Sequence, residues 1–127
     1  MEPDDLRYTE HHAWVARSGE ATVRIGITDY AQSQLGEIVS VQLPECGDTV
    51  TAGAPLGVVE SSKAATEIDA PLSGEIVAVN DMVAAEPEMI NNEPYGDGWL
   101  VEVRLGDPAS PDGLLDAASY REKIGAV

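Results

Sequence analysis

The chain has 127 residues, with 23 Asp or Glu against 7 Lys or Arg, for a formal net charge of −16. That length supports one domain with a modest core. A surface this acidic repels phosphate backbones and anionic membranes, which argues against nucleic-acid binding. The acidity reads either as solubility or as a docking surface for basic partners. A lone cysteine, Cys46, excludes an internal disulfide and fits a reducing compartment. No apolar run reaches the length of a membrane span. The Met1-Glu2-Pro3-Asp4-Asp5 start is acidic and lacks a signal or transit pattern. A monomeric cytoplasmic protein is the expectation.

In chain order, residues 6–15 read as a first strand and 21–27 as a second, joined by Ser18-Gly19-Glu20. The β-branched residues Thr9, Val15, Thr22, Val23, Ile25 and Ile27 lie on either side of that turn, the distribution of a hairpin. Thr28 is a candidate N-cap for a short helix over 29–35, closed before Gly36. Leu43-Pro44-Glu45-Cys46-Gly47-Asp48 is a loop. Residues 91–98, dense in Asn, Pro and Gly, read as irregular, and 99–105 as a strand with one wet face. Ser110 before Pro111 has the form of a helix start, so a C-terminal helix is expected over about 111–124. The chain thus reads as mostly β with short peripheral helices.

The middle of the chain holds an internal near-repeat. Gly36-Glu37-Ile38-Val39-Ser40-Val41 is matched by Gly74-Glu75-Ile76-Val77-Ala78-Val79. Each copy is followed by a turn and a similar pattern: Asp48, Thr49, Val50 and Pro55 after the first, Asp81, Met82, Val83 and Pro87 after the second. Between the copies, about 56–71, lies a hairpin pattern. The apolar run 56–59 enters it, 64–70 leaves it, and Lys63 stands at the tip between Ser61, Ser62, Ala64 and Ala65. Two quasi-symmetric sheets displaying one lysine at an exposed turn are the expected result, with the lysine stem pointing into solvent. Small neighbours leave the ε-amine open to a modifying enzyme, and a rigid turn gives a swinging arm a fixed origin. An ordinary surface lysine is the plainer reading of the same residue.

Other chemistry is thinly supplied. His11 and His12 are adjacent, so on a strand they face opposite sides and cannot share a metal. Cys46 sits in a Pro/Gly loop with no nucleophile context. No phosphate loop, metal-spaced Cys/His set or Ser/His/Asp pattern is present. The chain is read as a non-catalytic component.

The segments Gly26-Ile27-Thr28-Asp29-Tyr30-Ala31-Gln32, Val58-Val59-Glu60-Ser61-Ser62-Lys63-Ala64-Ala65, Asn91-Asn92-Glu93-Pro94-Tyr95-Gly96-Asp97-Gly98-Trp99-Leu100 and Leu114-Leu115-Asp116-Ala117-Ala118-Ser119-Tyr120 resemble, in this order and over nearly the full length, the H proteins of the glycine cleavage system. That resemblance implies a lipoyl/biotinyl-type flattened β-barrel or sandwich with added terminal segments. The family's Glu-Ser-x-Lys-Ala attachment pattern falls on Glu60, Ser61, Ser62, Lys63 and Ala64, which implies lipoic acid in amide linkage on Lys63. It further implies a shuttle in glycine catabolism and one-carbon metabolism. The arm takes an aminomethyl group from the pyridoxal-phosphate glycine decarboxylase (P protein) to the aminomethyltransferase (T protein). Dihydrolipoamide dehydrogenase then reoxidises it. A lipoate-attaching enzyme is the remaining implied partner.

One departure stands out against the family pattern. Where the family reads His-Glu-Trp, with the Glu lining the cleft that shelters the loaded arm, this chain reads His12-Ala13-Trp14. Glu10 and Glu67 are the candidate replacements, and His12 a further lining residue. Ser62 also stands where the family is more often apolar. The alternatives are an H-like protein used for lipoyl relay and the lipoyl domain of another multienzyme complex. A biotin carrier is disfavoured because Ser62 and Ala64, not Met, flank the lysine.

Overall fold

The computed structural model describes residues 6–9, 12–19, 21–106 and 113–124. Among the described residues nine strands form two antiparallel sheets. β1 (Arg7–Tyr8), β2 (Ala13–Arg17), β3 (Thr22–Ile27), β9 (Val101–Leu105), β8 (Gly74–Val79) and β5 (Thr49–Val50) make a six-stranded sheet in that spatial order. β4 (Ile38–Gln42), β6 (Pro55–Ser61) and β7 (Ala65–Asp69) make a three-stranded one. The helices are short: α1 (Asp29–Leu35), α2 (Asp81–Ala85), α3 (Glu88–Asn92) and α4 (Ala117–Ile124). The expected β-sandwich with peripheral helices is therefore present. Its sheets are unequal, which qualifies the expected near-symmetry. The repeat is real in placement, since its copies become β4 in one sheet and β8 in the other.

The main core lies between the sheets, with Ile25, Ile27, Val59, Ile76, Val101 and Val103 fully enclosed. β9 shows the alternation its sequence promises: Val101, Val103 and Leu105 are buried, while Arg104 is exposed. On the outer face Arg24 and Arg104 bridge to Glu102 and Glu75 at 3.4 and 3.2 Å, and Arg24 also lies 4.7 Å over the Trp99 ring. A second apolar cluster of Tyr8, Trp14, Ala117 and Tyr120 fills the space between β1–β2 and α4. This is why β2 is buried on both faces: Val15 enters the main core and Trp14 the second cluster.

Several expectations need correction. The strand expected over 6–15 is broken. β1 folds back on β2 with Tyr8 opposite Trp14, and the return passes through His12 in the left-handed region at φ 70°. Thr9 holds this return: its N–H reaches Ala13 O at 2.9 Å, its Oγ1 accepts from Ala13 N–H at 3.2 Å, and its carbonyl accepts from His12 N–H at 3.1 Å. The second repeat copy continues as helices, not strands. Asn80, where the first copy has Gln42, accepts the Met82 N–H at 3.1 Å and starts α2. Asn91 and Asn92, expected to be irregular, close α3. The C-terminal helix begins at Ala117 rather than 111, because Asp116 Oδ1 caps the Ser119 N–H at 2.8 Å and Leu115 is held in a bridge to Tyr8. The start expected at Ser110 and Pro111 lies outside the described residues.

Candidate lysine-arm site

The hairpin is formed by β6 and β7, with Glu60 opposite Ala65 and Val59 opposite Thr66. The Ser61 N–H donates to Ala64 O at 2.8 Å, which leaves Ser62 and Lys63 as the two central residues of the turn. No glycine or asparagine relieves this turn; the Ser61 hydroxyl braces it instead. Ser61 Oγ accepts from Lys63 N–H at 3.2 Å and Ala64 N–H at 3.1 Å, and donates to Ala64 O at 3.2 Å. The Ser62 N–H reaches Glu37 O at 3.1 Å and ties the tip to the entrance of β4. Ser62, Lys63, Ala64 and Ala65 are exposed, and Glu60 is half-buried.

Lys63 is thus at the apex, as its sequence context implied, but its stem does not point straight into solvent. It lies over Gly36, the residue that ends α1 at φ 84°. A β-carbon added to Gly36 would meet Lys63 Cε at 3.4 Å and Nζ at 3.7 Å. Glycine serves here twice, allowing the left-handed turn and leaving room for the stem. Among the described residues Lys63 has no ion-pair partner, so its amine is accessible.

Beside this seat runs a cleft of about 260 Å³. One wall is α1 (Tyr30, Ala31, Gln34, Leu35) and the other is β7 (Thr66, Glu67, Ile68), with Ile27 and His12 completing it. Leu35 precedes Gly36 and Thr66 follows the turn, so Lys63 stands at one end of the cleft. α1 takes its place through the expected caps. Thr28 Oγ1 accepts the Ala31 N–H at 3.1 Å, and the Gly36 N–H returns to Gln32 O at 2.9 Å. His12 is held from three sides: its backbone carbonyl accepts from Thr28 N–H at 3.0 Å, its ring lies 4.9 Å from that of Tyr30, and its Nδ1 is 2.8 Å from the Tyr120 hydroxyl. The same hydroxyl is 2.8 Å from Thr28 Oγ1.

The structure therefore brings His12 and Glu67 together on one cleft and places Lys63 at its end. Glu10 lies outside the described residues. Ala13 is the cross-strand partner of Ile27, a lining residue, so a longer side chain at 13 would project toward the cleft. The sequence reading missed Tyr30, Gln34, Leu35 and Thr66 as cleft walls. The α1 caps at Thr28 and Gly36 were the one available signal, since they define which helix faces the hairpin. A larger cavity of about 310 Å³ lies against Gly53, Asp69 and Pro71, at the far end of the hairpin from Lys63, and takes no part in this site. Among the described residues no group of His, Cys, Asp or Glu could hold a metal ion, and Cys46 is a free, exposed thiol.

Comparison with known proteins agrees with this arrangement. Residues 6–126 match the family model for the glycine cleavage H-protein. The chain is 45% identical over 124 residues to the glycine cleavage system H protein of Marinobacter nauticus, covering 98% of this chain and 95% of that one. It is 50% identical over 123 residues to the protein of the same name from Mycobacterium avium, covering 94% and 93%. The crystal structure of a glycine cleavage system H protein from Mycobacterium marinum superposes with a TM-score of 0.89 at 41% identity, covering 98% of this chain and 99% of that one. The chain belongs to the glycine cleavage H-protein family.

Proposed function

We propose that this chain carries lipoic acid in amide linkage on Lys63 and serves as the arm-bearing shuttle of the glycine cleavage system. It takes the aminomethyl group from the glycine decarboxylase to the aminomethyltransferase and is reoxidised by dihydrolipoamide dehydrogenase. The observation that carries this reading is the placement of Lys63, central in a braced turn and at the end of a cleft. The site suits the group. Ile27, Ala31, Leu35 and Ile68 offer apolar walls to a methylene chain, while half-buried His12 and the exposed Gln34 and Glu67 offer polar contacts along its rim. When attached, lipoate supplies a dithiolane whose disulfide can open to accept a one-carbon amine together with two electrons.

The chain's own residues do the rest. Ser61 fixes the turn so that the arm swings from one origin, which raises its effective concentration at each partner. Gly36 seats the stem, and the apolar walls keep water from the cargo between partners. Glu67 and His12 are positioned to hold a polar or cationic terminus. The chain itself supplies no catalytic group in this reading, and the lipoate-attaching enzyme acts on the exposed amine. It is taken as a monomer of the reducing cytoplasm, which the exposed thiol of Cys46 fits.

Reconstitution tests the shuttle role. The lipoylated chain with a glycine decarboxylase should support exchange of the glycine carboxyl with bicarbonate, and Lys63→Arg should not. The alanine at position 13, where the family carries a glutamate, is the one observation favouring a lipoyl-relay role instead. A lipoylated chain that supports no exchange yet donates its lipoyl group to another carrier would establish that second reading.

A further inference from the structure

We infer that Asn91 is the positioning residue of the lysine seat, an inference that rests on Lys63 being the attachment site. Asn91 lies on α3, far from the hairpin in sequence, yet its side chain grips both sides of the segment on which the Lys63 stem rests. Its Oδ1 accepts the Ile38 N–H at 2.9 Å. Its Nδ2 donates to Gly36 O at 2.9 Å and to Gln32 Oε1 at 2.8 Å. An asparagine amide has two donors and one acceptor group, so one side chain engages both donors and the acceptor around Glu37.

The bracketed segment is also the one that meets the arm. Glu37 O accepts the Ser62 N–H at 3.1 Å, one residue before the lysine. Gly36 carries the Lys63 stem at φ 84°. Gln32 belongs to α1, the helix that walls the cleft through Gln34 and Leu35. A single amide therefore sets the cleft helix, the stem's seat and the hairpin tip in one register.

Removing it frees the 36–38 turn to sample other conformations. The Ser62 contact then weakens, and only part of the population presents Lys63 in its ordered pose. An enzyme that binds that pose sees an apparent affinity reduced by the populated fraction. The effect falls on recognition of the unmodified chain, with turnover at saturation unchanged.

The test uses the unmodified full chain. Asn91→Ala and Asn91→Ser are compared with Val103→Ala, a core truncation in β9, on the sheet opposite the hairpin, that lowers stability without touching the 36–38 turn. Two quantities are read: KM and kcat for lipoate attachment by intact mass, and hydrogen exchange at the Ser62 amide by NMR. Asn91→Ala should raise KM roughly five- to tenfold, equivalent to about 1 to 1.4 kcal/mol, with kcat held. Ser62 exchange should quicken by at least as much. Asn91→Ser, which retains one hydroxyl, should fall between it and the wild type, and it is the decisive variant should the alanine form fail to fold. Val103→Ala should change neither reading. Wild-type KM and Ser62 protection in the folded Asn91 variants would overturn the inference and leave Asn91 a stabilising residue only. A wild-type chain that takes up no lipoate would instead defeat the attachment reading. The Ser62 exchange comparison still decides the link from Asn91 to the turn.

Discussion

The Nδ1 of His12 lies 2.8 Å from the hydroxyl of Tyr120, joining one wall of the cleft to the C-terminal helix. Tyr120 is fully buried, stacks on Tyr8 at 4.8 Å between ring centroids, and shares its hydroxyl with Thr28. A segment distant in sequence thereby fixes a ring that lines the cleft. Tyr120→Phe keeps the stack and removes both hydroxyl contacts. At about 0.5–1.5 kcal/mol for each hydrogen bond, denaturant unfolding should show a loss of roughly 1–3 kcal/mol. The His12 ring resonances should show a changed tautomer balance. Unchanged ring resonances would mean that other contacts hold His12.

Acid should act on the start of α4. The Asp116 carboxyl is held below the usual carboxylate range, mainly by the Ser119 backbone N–H and then by its hydroxyl. The folded-state value is depressed, so the contribution is present above the unfolded value of about 3.9 and is lost as pH falls through the folded value. Amide exchange over Ala117–Ile124 should therefore quicken below about pH 4. In Asp116→Asn, which retains a capping oxygen without a titrating proton, this part of the pH dependence should vanish. An acid response of α4 that is identical in both proteins would assign it to other carboxylates.

Docking to enzyme partners should depend on salt. With a net charge of −16 and a screening length of about 8 Å at physiological ionic strength, association rates should fall as salt rises. Turnover at saturating partner should change less. Stopped-flow association with the decarboxylase measures this, and rates flat across the salt range would mean that the acidity serves solubility alone.

Much of this arrangement was legible in the sequence because local chemistry determined it. Thr28 and Gly36 bracket α1 where their capping preferences place it, and the run 56–71 covers all but the first residue of the β6–β7 hairpin, with Lys63 central in its turn. Failures came where a distant partner overrode the local pattern. Residues 9–12 carry no Gly or Pro, so nothing local announced a return; Thr9 and the pairing of Tyr8 with Trp14 create it. The two repeat copies diverge after Val41 and Val79 because Asn80 caps a helix and also donates to Asp97 O and Trp99 O at 2.8 and 2.7 Å. Leu114 and Leu115 read as helix, yet Leu115 is bound across to Tyr8. The cleft and the Asn91 bracket join residues from separate elements, and one-dimensional patterns cannot register such meetings.

The missing carboxylate at Ala13 has a measurable consequence. A charge-assisted hydrogen bond is worth about 1.5–3 kcal/mol, and about 1.4 kcal/mol is a factor of ten. Ala13→Glu, projecting beside Ile27, should lengthen the half-life of the isolated loaded protein by roughly tenfold or more. It should also cost some stability, because Ala13 is only 2% exposed. An unchanged half-life in Ala13→Glu together with a shortened one in Glu67→Gln would show that Glu67 already fills the role. A half-life moved by neither substitution would show that shelter does not depend on this part of the cleft.

The central assignment is tested most directly by intact mass and peptide mapping of the chain after incubation with a lipoate-attaching enzyme, ATP and lipoic acid. The expected result is a single added lipoyl group, located on Lys63, and no addition to Lys63→Arg. A wild-type chain that gains no mass, or a lipoyl group found on Lys123 and retained in Lys63→Arg, would contradict it.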